Sequence, residues 1–97
     1  MIAKHKRIWK KLQMLIEQSC QEKCLDQCLD LLLTMDEKDN LIKRYLIIEG
    51  ILDGSMPQRQ LAEELKISIS KLTRGSNELK KIKPTLRAFL KRNMEIK

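Results

Sequence analysis

Aromatic residues are nearly missing from this 97-residue chain, with one tryptophan, one tyrosine and one phenylalanine making up 3% of it. With so few aromatic and β-branched residues the sequence lacks the material of a β-sandwich or barrel. Glycine and proline are scarce as well, at three and two, so the chain reads as largely helical. No apolar run reaches the roughly eighteen residues of a membrane span, and the basic N-terminus leads into a charged segment instead of the apolar stretch of a secretion signal. The expected location is therefore cytoplasmic, with no membrane partner. The single histidine, His5, stands near the start. There is no glycine-rich phosphate cradle and no evident carboxylate pair in a dry pocket, so acid–base or nucleophilic catalysis has no obvious players and the chain reads as no enzyme. Cys20, Cys24 and Cys28 are odd in number, at i, i+4 and i+8 on what reads as one helix. That suits a reducing compartment and buried packing better than a disulfide framework. A zinc site wants a fourth ligand, which nothing nearby supplies, so no metal is expected.

What the chain has is apolar and charged residues, 42% and 34%, too apolar for a disordered tail. Its length fits one domain, 1–97, whose core is marginal enough that self-association is expected. A net charge of +7 points to a polyanionic partner. From Lys66 onward ten basic residues face only Glu78 and Glu95, whereas the stretch from Leu12 to Pro57 is net acidic. The positive field belongs to the last third and to a short head, Lys4, Lys6, Arg7, Lys10 and Lys11.

The periodicity predicts six short helices. The first spans about Ala3 to Gln21, with Ile8, Leu12, Leu15 and Ile16 at helical spacing, and the second about Leu25 to Leu33. Thr34-Met35-Asp36-Glu37 reads as a capping box opening a third helix, which runs to about Asp53 and stops at Gly54. That third helix is apolar over most of its circumference, as a central helix of a fold or dimer would be. Pro57 lies in the first turn of a fourth helix, whose buried side is Leu61, Ala62 and Leu65. Lys66-Ile67-Ser68 is a turn, with Ser68 capping a fifth helix buried through Ile69, Leu72 and Leu79. Ser70, Lys71, Thr73, Arg74, Ser76 and Asn77 remain outside. Two short helices about a tight turn, the second polar and cationic outward, make a helix-turn-helix able to enter a DNA major groove. The alternative is a helical hairpin with a solvated charged face. Gly75 weighs against it, because a glycine inside a helix costs about 1 kcal/mol and wants a close neighbour. A sixth helix, within 84–97, packs through Leu86, Phe89, Leu90 and Met94.

Gln58-Arg59-Gln60-Leu61 followed by Leu72-Thr73-Arg74-Gly75-Ser76-Asn77-Glu78-Leu79-Lys80 resembles the tryptophan repressor family. The likeness extends without gaps back through Leu33-Thr34-Met35-Asp36-Glu37, Arg44 and Ile48-Glu49-Gly50-Ile51-Leu52-Asp53-Gly54. It implies an all-α intertwined homodimer in which residues 1–33 form the dimerisation helices, 34–54 the central helix, 55–81 the helix-turn-helix and 84–97 the last helix. It also implies a repressor of tryptophan biosynthesis or transport genes, with L-tryptophan as corepressor and no other cofactor. In that resemblance Arg44 pairs with the ligand carboxylate, and Arg74 and Arg44 sandwich the indole. Gly75 lines the pocket. The carbonyls of Leu31 and Leu33 and the Thr34 hydroxyl, from the other chain, hold the ammonium end. A guanidinium suits both tasks, since it binds carboxylates bidentately and stacks on aromatic faces.

For operator DNA the resemblance sets Arg59 on a guanine edge and Ile69, Ser70 and Thr73 near base edges. Gln58, Lys71, Ser76 and Lys80 are placed against phosphates. Two positions depart from the family's pattern. Glu78 stands where a serine commonly faces the ligand amino group, and it could accept from that ammonium or pair with Arg74. Ala62 stands where a lysine often joins the reading surface. A helix-turn-helix protein of the same fold with another effector, or none, is the alternative, with Arg44 and Arg74 paired to internal acids such as Glu49 or Glu78.

Overall fold

Helix-forming runs separated by short polar turns give an all-helical chain. The computed structural model describes residues 2–96, with the Ile2 side chain excepted. Among these residues it has six helices and no strand: α1 (Ile2–Gln21), α2 (Leu25–Leu32), α3 (Met35–Asp53), α4 (Gln58–Leu65), α5 (Ile69–Lys80) and α6 (Pro84–Asn93). The contacts group into two units, the first ending at Lys38 and the second beginning at Asp39. No helix among the described residues is long and apolar enough to cross a membrane.

In the first unit, α1 packs on α2 through a turn at Lys23, which adopts the left-handed conformation with φ 59°. The Cys24 N–H then reaches back to the Ser19 carbonyl at 2.9 Å and the Lys23 N–H to that of Cys20 at 3.3 Å, which satisfies two of the last carbonyls of α1. This turn splits the cysteines, correcting their expected place on one helix: Cys20 is in α1, Cys24 precedes α2 and Cys28 lies within it. Cys20 is exposed and the other two are half-buried, with no metal-holding cluster among the described residues. The capping box forms as expected. The Thr34 N–H donates to Glu37 Oε1 at 2.9 Å and the Glu37 N–H to Thr34 Oγ1 at 3.1 Å, and hydrogen bonding from Thr34, its backbone N–H first and its hydroxyl second, draws the Glu37 carboxyl below its ordinary value. Lys38 adds an ion pair with Asp30. Ile8, Trp9, Met14 and Leu15 on α1 stay exposed, and Leu31 is 87% exposed.

The core lies in the second unit. Leu72 is fully buried, among Ile47, Leu61 and Ala62, with Ile51, Met56, Leu65 and Ile67 against them. Two glycines of the unit stand where side chains press on the backbone. A Cβ at Gly50 would lie 2.7 Å from both terminal methyls of Leu61, and one at Gly75 2.7 Å from Cγ2 of Ile47. The helix cost of Gly75 thus has a packing reason, the close approach of α3 to α5. Gly54 ends α3 at φ 66°, its N–H donating to the Gly50 carbonyl. The Arg87 guanidinium donates to the Leu79 carbonyl at 2.6 Å, tying α6 to the end of α5. On α6 Leu86 and Phe89 remain exposed, so the packing expected of them is incomplete within one chain.

Candidate functional site

Local chemistry fixes the angle between α4 and α5. Pro57 sits just ahead of the first turn of α4, with φ −59°. At the other end Lys66 turns left-handed at φ 56°, the Ile67 N–H donates to the Ala62 carbonyl at 3.0 Å and the Lys66 N–H to that of Glu63 at 3.2 Å. This is the paired-bond helix stop that glycine usually supplies, made here by a lysine, with Ile67 packed against the core that holds Ala62. Ser68 caps α5, its Oγ accepting from the Lys71 N–H at 3.1 Å. Gln58 Nε2 donates across to Ser76 Oγ at 3.3 Å, bracing the start of α4 against the middle of α5.

Three faces of α5 follow from its 3.6-residue period. Leu72, Ser76 and Leu79 are buried in the unit. Ile69, Ser70, Thr73, Asn77 and Lys80 are exposed on one flank. On the other flank Lys71, Arg74, Gly75 and Glu78 line a cleft of about 820 Å³. Across it α3 supplies Asn40, Lys43, Arg44, Ile47 and Ile48, and Ile82, Leu86 and Leu90 close the apolar end. Four cations, one carboxylate and an aliphatic wall therefore meet in one concavity.

Arg44, Arg74, Gly75 and Glu78 are brought together there. Among the described residues neither arginine has an ion-pair partner, and Glu78 bonds Lys81 Nζ at 3.3 Å instead of Arg74. The pairing of the arginines with Glu49 or Glu78 does not occur. Leu31, Leu33 and Thr34 belong to the first unit and are not among the cleft's lining. Leu33 donates its N–H to the Leu29 carbonyl, and the Thr34 hydroxyl is engaged as a helix cap.

A sequence profile of the family described as Trp repressor protein matches residues 7–94. The chain belongs to the Trp repressor family. That family is one of transcriptional regulators, not of enzymes. Three relatives named Trp operon repressor homolog are similar to it. The one from Chlamydia caviae is 41% identical over 61 residues, 63% of this chain and 60% of the relative. The one from Vibrio cholerae serotype O1 is 38% identical over 72 residues, 74% of this chain and 70% of the relative. The one from Chlamydia trachomatis serovar D is 39% identical over 64 residues, 66% and 68%. The chain thus spans less than two thirds of the first of these.

Within this family member, the exposed flank of α5 and the start of α4 carry most of the residues assigned to DNA. Gln58 and Arg59 lie exposed in the first turn of α4, and Ser70, Thr73 and Lys80 are exposed on α5. Ile69 is 47% exposed, so it leaves the buried stripe that its spacing suggested. Two assignments are corrected. Ala62 is 3% exposed inside the core, so its side chain offers nothing to a reading surface. Ser76, expected outside and on a phosphate, is buried at 8% with its hydroxyl accepting from Gln58. Lys71 is exposed but borders the cleft. Sequence reasoning missed Lys43, although it adjoins Arg44, and the cleft wall of Ile82, Leu86 and Leu90, whose i, i+4, i+8 spacing was the available signal.

Proposed function

We propose that this chain is a homodimeric transcriptional repressor that binds operator DNA through α4 and α5 and takes L-tryptophan as corepressor, acting on genes of tryptophan biosynthesis or transport. One observation carries the reading: a single helix, α5, has an exposed polar flank on one side and, on another, a cleft with two guanidiniums that have no ion-pair partner among the described residues. The amino-acid carboxylate would pair with Arg44, and the indole would stack between Arg44 and Arg74 beside the backbone at Gly75. A second copy would contribute the Leu31 and Leu33 carbonyls and Thr34. The exposed Ile8, Trp9, Met14 and Leu15 support that second copy, because isolated soluble chains rarely leave so much apolar surface in water. Arg59, Ser70 and Thr73 would read base edges, and Gln58, Lys71 and Lys80 would hold phosphates.

Ligand in the cleft would bear on α5 beside its reading flank, so it would fix the angle at which that flank is offered to a groove. Coupling of this kind requires a ligand that binds the DNA-competent arrangement better than the other. The test is selection of bound duplexes from a random-sequence pool with and without L-tryptophan, followed by anisotropy titration of the selected duplex. An affinity gain of about 5- to 150-fold with ligand is expected, lost in Arg74→Ala while salt-sensitive non-specific binding persists. Equal affinity with and without L-tryptophan would refute the reading.

A further inference from the structure

Resting on that ligand reading, we propose that Glu78 sets the cleft's specificity, admitting α-amino acids and rejecting otherwise identical acids that lack the amino group. Four cations, Lys43, Arg44, Lys71 and Arg74, line the cleft, and Glu78 is the one acidic residue among its described lining. A purely cationic cleft attracts any apolar carboxylate and repels an ammonium. One carboxylate among the cations changes both terms, giving an ammonium a partner and opposing a ligand that brings only negative charge.

The placement of Glu78 suits this task. It lies about one turn beyond Arg74 on the same side of α5, four residues or about 6 Å along the helix axis. With Arg44 lining the same cleft from α3, a guanidinium for the carboxylate and Glu78 for the ammonium suit a zwitterion whose two charged groups share one carbon. Its present partner, Lys81, is a weak competitor, because both side chains are mostly exposed and joined at 3.3 Å. Lys81 is not among the cleft's lining, so moving the Glu78 carboxylate from it to a ligand ammonium leaves no buried charge uncompensated.

The experiment is calorimetric titration near neutral pH of the full chain and of Glu78→Gln with L-tryptophan and with 3-indolepropionate, the same molecule with hydrogen in place of the amino group. The wild type is expected to prefer L-tryptophan strongly, and Glu78→Gln to narrow that preference by about ten- to a hundredfold, the desamino acid gaining as the amino acid loses. Glu78→Ser serves as a second neutral replacement, and circular dichroism confirms that each variant folds. Two results overturn the proposal while leaving tryptophan binding intact: a wild type that takes both ligands equally, or a preference that changes by less than about threefold in both variants. Absence of binding by either ligand to the folded wild type overturns the ligand reading itself and the proposal with it.

Discussion

Replacing Gly75 with alanine sets two physical effects against each other, and the structure decides between them. Helix propensity alone favours the change by about 1 kcal/mol, since glycine is the costlier residue within a helix. Against this, the new Cβ would sit 2.7 Å from Ile47 Cγ2, where carbons prefer about 3.5–4.0 Å. Cγ2 hangs directly from the Ile47 Cβ, so only rotation about χ1 moves it, and a β-branched residue in a helix has one strongly preferred χ1. Ile47 is also 8% exposed, with little free space to turn into. Relief therefore takes an off-rotamer side chain or a separation of α3 from α5, and overpacking of this kind costs about 1–3 kcal/mol. The expected balance is a loss of about 1 kcal/mol, which at this size lowers the melting temperature by about 4–8 °C. Urea unfolding at fixed protomer concentration measures it, because the association proposed above would make stability depend on concentration. Ile47→Ala removes Cγ2, so in a double-mutant cycle Gly75→Ala should become favourable on that background, with a coupling of at least about 1 kcal/mol. A gain of about 1 kcal/mol from Gly75→Ala in the wild type, as propensity alone dictates, would refute the packing argument.

Four further outcomes are expected. Thr34→Ala should cost about 1 kcal/mol by leaving the Glu37 N–H uncapped. The Glu37 carboxyl is held below 4.5 by hydrogen bonds from Thr34, backbone first, so its contribution is full above that value and fades as pH falls through the lower folded one; acid unfolding of wild type and Glu37→Gln should converge in that window. Lys66→Gly should stabilise by about 0.5–1 kcal/mol, since a left-handed lysine costs more than the added chain entropy of glycine, and thermal melts decide the sign. The phenol of Tyr45 is pushed above 10.0, by desolvation first and then by Glu49 and Glu95; its ultraviolet titration should move down in Glu49→Gln, and any stability it lends is present below 10.0 and lost as pH rises through the folded value.

Features legible in the sequence were those set within one helical turn. The Thr34–Glu37 box, the Gly54 stop and the Ser68 cap each involve residues no more than four apart, and all three form. The left-handed Lys66 escaped notice because sequence signals there favour glycine, while the carbonyls of Ala62 and Glu63 hold the turn whatever the side chain. Spacing put Ala62 on the buried side of α4 and the family resemblance put it on the DNA side; burial agrees with spacing. For Ile69 the outcome is reversed, since at the first turn of α5 its side chain projects past the core that Leu72 and Leu79 enter. Ser76 looked outward because it is polar, and only the contact with Gln58, eighteen residues away, makes its burial affordable. The apolar side chains left exposed on α1 and α3 could not be assigned a face from periodicity, which says that a side is apolar and not what covers it.

The packing of α5 bears on how one short helix would serve the two sites proposed for it. Its buried face is held by Leu72 at the centre, by the Gln58–Ser76 bond and by Ile47 pressed against the Gly75 backbone. With that face packed on α3 and α4, we expect small displacements of α5 to rock about the Ile47 contact. A ligand seated beside Gly75, between Arg44 and Arg74 as proposed above, would act next to that pivot, where sub-ångström changes would become larger shifts at the exposed Ser70 and Thr73. Widening the pivot with an alanine methyl should then weaken the link between ligand and DNA by more than it weakens either binding step alone. Ligand-free DNA affinity and DNA-free ligand affinity of Gly75→Ala would each change little, and the ligand-dependent gain in DNA affinity would fall by about tenfold, or 1.4 kcal/mol of coupling. Equal loss in all three quantities would mean that α5 is merely disordered by the substitution and that Gly75 is no pivot.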